Sequence, residues 1–223
     1  MSKVYIFFIL IFLVTGGNVG RSSAEVNVGG SIGDEGISNF YVAVGDYYNV
    51  PQREVIVIRE RGIPYEEIPI VYFIARRANV LPGRIIDLRL RNNSWMDIIS
   101  QLGLSPEIFY VPVDVVVSGP PYGKAYGYYR NKPRGSWKTI VLRDYDVINL
   151  VNLRFISEHY GYPPGRVIEM RSKGRDFLFI NDEVKKEKVY KEHVKEARVE
   201  KAKGKPEVKE KSNGKGKGKG KNK

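Results

Sequence analysis

The sequence predicts a mainly α-helical protein: a compact domain of two tandem helical repeats with a few short extended segments, and a disordered basic C-terminal tail. Three observations lead there. First, Pro82-Gly83-Arg84-Ile85-Ile86-Asp87-Leu88-Arg89 returns 82 residues later as Pro164-Gly165-Arg166-Val167-Ile168-Glu169-Met170-Arg171. The same offset aligns Phe73-Ile74 with Phe155-Ile156, Trp95 with Phe177 and Ile98 with Ile180, apolar on apolar. Second, prolines and glycines cut both regions into helix-length pieces, proline at the start where a missing N–H does no harm and glycine at the end. Third, the formal net charge of +12 is uneven: residues 181–223 hold 15 Lys and one Arg against eight acidic residues.

From the N-terminus, residues 1–24 read as a secretory signal. Lys3 supplies a positive start, Val4 to Val14 is an unbroken apolar run, and Ser22-Ser23-Ala24 presents small residues before a cut at Glu25. The run falls short of the roughly 20 apolar residues a spanning helix needs. After cleavage no transmembrane anchor is expected. Residues 25–39, rich in glycine, read as a flexible leader, and Phe40 to Val44 as a short strand.

The first repeat is expected over 40–118. Pro51 and Gly62 bound one helix. Pro64 opens the next, with Glu66 and Glu67 in the first turn, a kink at Pro69, and Arg76 and Arg77 at the C-terminal end. Pro82 opens a third, with Ile85, Ile86 and Leu88 inward. Ser94-Trp95-Met96-Asp97 has capping-box spacing for a fourth, which Gly103 ends. Tyr110 to Ser118 is β-prone, but Pro112 limits it to an edge or extended segment. Residues 119–137 (GPPYGKAYGYYRNKPRGSW) read as a loop rich in Gly, Pro and Tyr.

The second repeat is expected over 138–181. Asp144 or Asp146 caps its first helix, Val147, Leu150, Val151, Phe155 and Ile156 form the inner face, and Gly161 stops it. Pro164 opens the counterpart of the Pro82 helix, and Phe177 to Ile180 closes the body. Residues 182–223 read as a disordered Lys/Gly-rich tail, its first part a fraying helix at most. Val184, Val189, Val194 and Val199 recur every five residues, a step of about 140° that makes no apolar stripe.

Composition excludes several function classes. Without cysteine there is no disulfide, zinc–thiolate site, thiol nucleophile or lipid attachment. The two histidines, His159 and His193, are too few for a multi-histidine metal site, and no nucleophile-elbow, zincin, phosphate-loop or EF-hand spacing occurs. No cofactor and no enzyme activity are expected. Carboxylates are present (Glu66, Glu67, Asp87, Asp97, Asp144 and Asp146), but pairing them for glycoside cleavage requires geometry.

Two constellations could bind. The 119–137 stretch mixes aromatics with cations (Tyr122, Lys124, Tyr126, Tyr128, Tyr129, Arg130, Arg134 and Trp137), side chains that stack on sugars or bases and meet phosphate or carboxylate. Arg84 and Arg166 occupy equivalent places and could pair around an anion. So could Arg89 and Arg171, although such residues more often sit on a solvated face beside acids such as Asp87 or Glu169.

Residues 88–111, with Ser94-Trp95, Asp97-Ile98 and Leu102-Gly103-Leu104-Ser105-Pro106-Glu107, resemble the last two helices of sigma-factor-type DNA-binding domains. The resemblance implies a helix-turn-helix. However, Pro112 cuts the second helix to about two turns, and Ile108-Phe109-Tyr110 lacks side chains that read base edges. Sequence-specific DNA is therefore not the expected partner. The body, residues 25–180, carries only 19 basic against 17 acidic residues. The expectation is an exported protein, periplasmic or extracellular, that binds or builds without catalysis and whose cationic tail meets anionic polymers or surfaces. The alternatives are a DNA-binding regulator with a misread N-terminus and a cell-wall glycan hydrolase.

Overall fold

The structure, a computed structural model, describes residues 32–203. The expected signal segment, the start of the leader and the terminal Gly/Lys run lie outside the described residues. Those described form nine α-helices and three short 3-10 helices, with no strand among them.

Helix α1 (Ile32–Tyr48) covers most of the expected leader and the expected strand. Phe40, Ala43, Val44 and Tyr48 are all buried, and their spacing is that of one helical face, which burial favours over a five-residue strand without a partner. Gly45 lets α1 lie against the turn that follows. A Cβ there would stand 2.9 Å from the Val50 carbonyl oxygen. Helix α2 (Gln52–Glu60) follows Pro51 and packs back on α1.

The expected Pro64 helix is divided. Tyr65–Glu67 is a 3-10 turn and α3 runs Ile68–Ala78. Pro69 has no N–H to give to the Tyr65 carbonyl, so an unbroken α-helix cannot pass through. Every residue of α3 from Ile68 to Ala75 is buried, and Asn79 closes it in a left-handed cap, φ 53°. Helix α4 (Pro82–Leu90) folds onto α3, and α5 (Trp95–Gln101) starts with a complete capping box between Ser94 and Asp97. The would-be recognition helix is a single 3-10 turn, Pro106–Phe109, with both its ends buried. Nothing helix-turn-helix-like projects from the body at this point.

Some helix boundaries of the second half lie 82 residues after boundaries of the first, although α2 has no α-helical counterpart and the helix opening at Asp144 begins six residues earlier than α3 would place it. Helix α7 (Asp144–Tyr160) ends at Gly161, φ 62°, 82 residues after Asn79. Its N-cap is Arg143, and Asp146 accepts the Arg143 N–H at 3.0 Å. Helix α8 (Pro164–Ser172) has the nine residues of α4, each shifted by 82, and α9 (Phe177–Lys203) opens where α5 would. The aligned pairs Ile85/Val167, Trp95/Phe177 and Ile98/Ile180 are all 0% exposed. Helices α3 and α7 pack against each other at the centre, with α1 against both and α9 closing over α1, α7 and α8.

Two expectations need correction here. The stretch 119–137 is largely helical: α6 (Gly123–Arg130) and a 3-10 turn, Arg134–Thr139. The beginning of the expected disordered tail is also helical, because α9 continues through Lys203. Val184, counted with the tail, is completely buried. Its burial extends the apolar register of Phe177 and Ile180 by one turn and draws the start of the charged segment into the body.

Candidate binding site

The aromatic residues singled out between 119 and 137 converge because α6 places Tyr122, Tyr126 and Tyr129 one helical turn apart on a single face. That face is buried, which explains why a segment with two glycines and a low intrinsic helix preference folds as a helix. Their hydroxyls are directed inward. Tyr126 donates to the Val111 carbonyl and Tyr129 to the Pro106 carbonyl, both at 2.8 Å, while Trp137 Nε1 donates to the Tyr129 carbonyl at 3.0 Å and the Lys132 carbonyl at 3.1 Å. Burial pushes the Tyr122, Tyr126 and Tyr129 phenols above their ordinary pKa, so they remain protonated.

Tyr110 completes the cluster. Its ring centroid lies 4.7 Å from Trp137 and 5.1 Å from Tyr129, and Trp137 meets Tyr129 edge-on at 5.0 Å. Arg154 of α7 holds this strand-like segment in place, donating to the Tyr110 carbonyl at 2.6 Å. A cavity of about 300 Å³ opens beside the four rings. Its other wall is the valine segment Val113, Val115, Val116 and Val117, and Arg130 stands on its lining. Val115 rests on the second Pro-Gly-Arg: a Cβ on Gly165 would come within 3.3 Å of both its methyl groups. Val116 is 84% exposed.

Tyr126, Tyr129, Arg130 and Trp137 line one cavity. Tyr122 is buried beneath, Tyr128 is half-buried, and Lys124 is exposed on α6. Arg134 is exposed with its guanidinium 5.4 Å from the Trp137 ring. The rings face one another and the valines, so they offer no open stacking platform. Neither Arg130 nor Arg134 has a carboxylate within ion-pair distance among the described residues. Sequence reasoning missed Tyr110 and the valine segment. Their alternating apolar pattern was visible, but not their position across from α6.

The repeated arginines divide into two kinds. Arg84 is exposed in the first turn of α4, and Arg166 pairs with Glu169 at 2.9 Å, so each lies on its own helix. Arg89 and Arg171 are half-buried instead of solvated. Arg89 binds Glu67 at 2.7 Å and Asp144 at 2.6 Å, and lies 4.7 Å over the Trp95 ring. Arg171 donates to Asn149 Oδ1 at 3.0 Å, stands 3.9 Å from Glu66, and lies 4.5 Å over the Phe177 ring. Asp87 and Glu169 pair with other residues, Arg61 in one case and Arg166 and Lys173 in the other. The carboxylates considered for chemistry are thereby engaged. No cluster of three metal-ligating side chains occurs among the described residues. His159 lies half-buried, stacked on Phe155 with ring centroids 5.9 Å apart.

Comparison with protein-family models, with curated proteins and with solved structures finds no match to this chain.

Proposed function

We propose that this is an exported, non-enzymatic binding or structural protein of the cell envelope or extracellular space, held on anionic polymers or surfaces by its lysine-bearing C-terminal end. The observation that carries the reading is the construction of α9. Phe177, Ile180, Asn181 and Val184 root it in the core, and beyond them Lys186, Lys188, Lys191 and Lys195 are exposed along the same helix. Lys188 and Lys191 each lie 5.9 Å over a tyrosine ring, Tyr160 and Tyr162, which ties this part of the helix to the body, while Lys186 and Lys191 pair with Asp182 and Glu187 of α9 itself. A charged segment rooted this way carries the body wherever the charge is held.

The non-enzymatic part is supported by the engagement of Glu67, Asp144 and Asp146 with arginines, which occupies carboxylate oxygens a substrate would need. Export rests on residues 1–24. The matching boundaries of α4 with α8 support a duplicated origin for the body.

The test compares, on a heparin matrix, the full chain with one ending at Glu196 in which Lys186, Lys188, Lys191 and Lys195 are also replaced by Gln. Salt-sensitive retention by the full chain, lowered in the shorter one, supports attachment through this end. Equal retention of both overturns it. N-terminal sequencing of protein recovered outside the cytoplasm should begin at Glu25. A chain starting at Met1 in the cytoplasm overturns export and favours a regulator.

A further inference from the structure

We infer that the cavity beneath the valine segment binds a small apolar carboxylate, its acid group at Arg130 and its hydrocarbon body against Trp137, Tyr110 and the valines. This goes beyond attachment through α9 and does not depend on it.

The chemistry of the walls selects the ligand. Of the polar groups on the four rings, the Tyr126 and Tyr129 hydroxyls and the Trp137 N–H already donate to backbone carbonyls, which leaves only the Tyr110 hydroxyl among them for a ligand. A sugar entering the cavity would leave most of its hydroxyls without partners, at a free-energy penalty for each one desolvated. An apolar body loses nothing there. Arg130 is the one charged side chain on the lining and has no acidic partner among the described residues, and the Arg134 guanidinium beside Trp137 adds to the positive field. A guanidinium fork matches a carboxylate in shape as well as in charge.

Size narrows the class. About 300 Å³ is at the small end for ligand cavities. It suits a short-chain or single-ring acid and is too small for a polymer. Val115 and Val116 are 51% and 84% exposed at the cavity, apolar area left facing water that a hydrocarbon chain would cover. The segment that carries them is held by Arg154 on the Tyr110 carbonyl, by the seat of Val115 on Gly165 and by the buried Val117. The cavity is therefore built before any ligand arrives.

The probe is octanoate, with 1-octanol as its uncharged counterpart, titrated into the full chain by calorimetry and by fluorescence of Trp137. The other tryptophan, Trp95, is completely buried in a different part of the core. Octanoate should bind saturably, about three- to tenfold tighter than octanol, as a charge-assisted hydrogen bond at an exposed arginine allows. Arg130→Gln should erase that difference while octanol affinity stays the same. Val116→Asp, at a position exposed enough to leave folding untouched, should weaken both ligands. The chain ending at Glu196 should bind octanoate as the full chain does, which separates this site from attachment through α9. Absence of saturable octanoate binding, equal affinity for acid and alcohol, or full discrimination in Arg130→Gln would each overturn the assignment. So would binding only to phospholipid vesicles.

Discussion

Arg89 Nη1 stands 2.6 Å from Asp144 Oδ2, an ion pair between α4 of the first half and the start of α7 in the second. The other Asp144 oxygen accepts the Trp95 N–H at 2.8 Å. A reciprocal contact runs the other way: Arg171 of α8 faces Glu66 of the first half at 3.9 Å. Each half thus lends a carboxylate to an arginine of the other. Such an exchange couples the two halves into one folding unit, because neither has a complete set of partners alone.

The coupling should be measurable. Asp144→Ala leaves Arg89 with Glu67 and the Asn93 carbonyl and orphans the Trp95 N–H. Partial exposure of Asp144 keeps the effect below that of a fully buried pair, so the loss should be about 2 kcal/mol in urea unfolding. Asp144→Asn keeps an acceptor and loses the charge, and should fall between the variant and the parent.

The two Pro-Gly-Arg glycines should behave differently although they are equivalent in sequence. A Cβ on Gly83 meets nothing within 4 Å, so Gly83→Ala should raise stability by about 0.4–1 kcal/mol through the unfolded chain. Gly165→Val presses on Val115 and should loosen the valine segment. Faster proteolytic cleavage between 112 and 118 in Gly165→Val, with Gly83→Val protected like the parent, is the expected readout.

Acid should weaken the fold through His159. Burial chiefly, with Lys188 nearby, lowers its pKa below 6.5, while Asp46 acts against this. The unfolded chain therefore takes up the proton first as pH falls, and stability declines between 6.5 and the lowered folded value. Denaturation midpoints across that interval should fall in the parent and stay flatter in His159→Gln.

The boundary between body and charged end should lie after Val184. Val184→Ala removes a completely buried side chain and should lose about 2 kcal/mol in thermal or urea unfolding. Val189→Ala, on a residue 43% exposed, should change stability by under about 0.5 kcal/mol.

The helix ends were legible in the sequence because the forces that set them act over a few residues. Pro82 and Pro164 start helices by steric necessity, Ser94 and Asp97 cap each other directly, and Gly161 adopts a conformation that side chains resist. The same local rules placed the helix-turn-helix resemblance, and they could not report that Pro106 and Phe109 face the core.

What only the folded chain decided depends on distant partners. Phe40 to Val44 became helix because α2, α7 and α9 cover one helical face of it. The aromatics of 119–137 turned inward because the Val111 and Pro106 carbonyls needed donors. Val184 joined the core because Phe177 had already set the register of α9. The repeated octapeptide could be read directly, but the roles of its arginines could not. Arg89 and Arg171 were drawn inward by acids from the opposite half, while Arg166 bound an acid of its own helix and Arg84 stayed on the surface. Spacing along a chain specifies which residues share a helical face. Which face is buried, and against which charge, follows from how the helices pack.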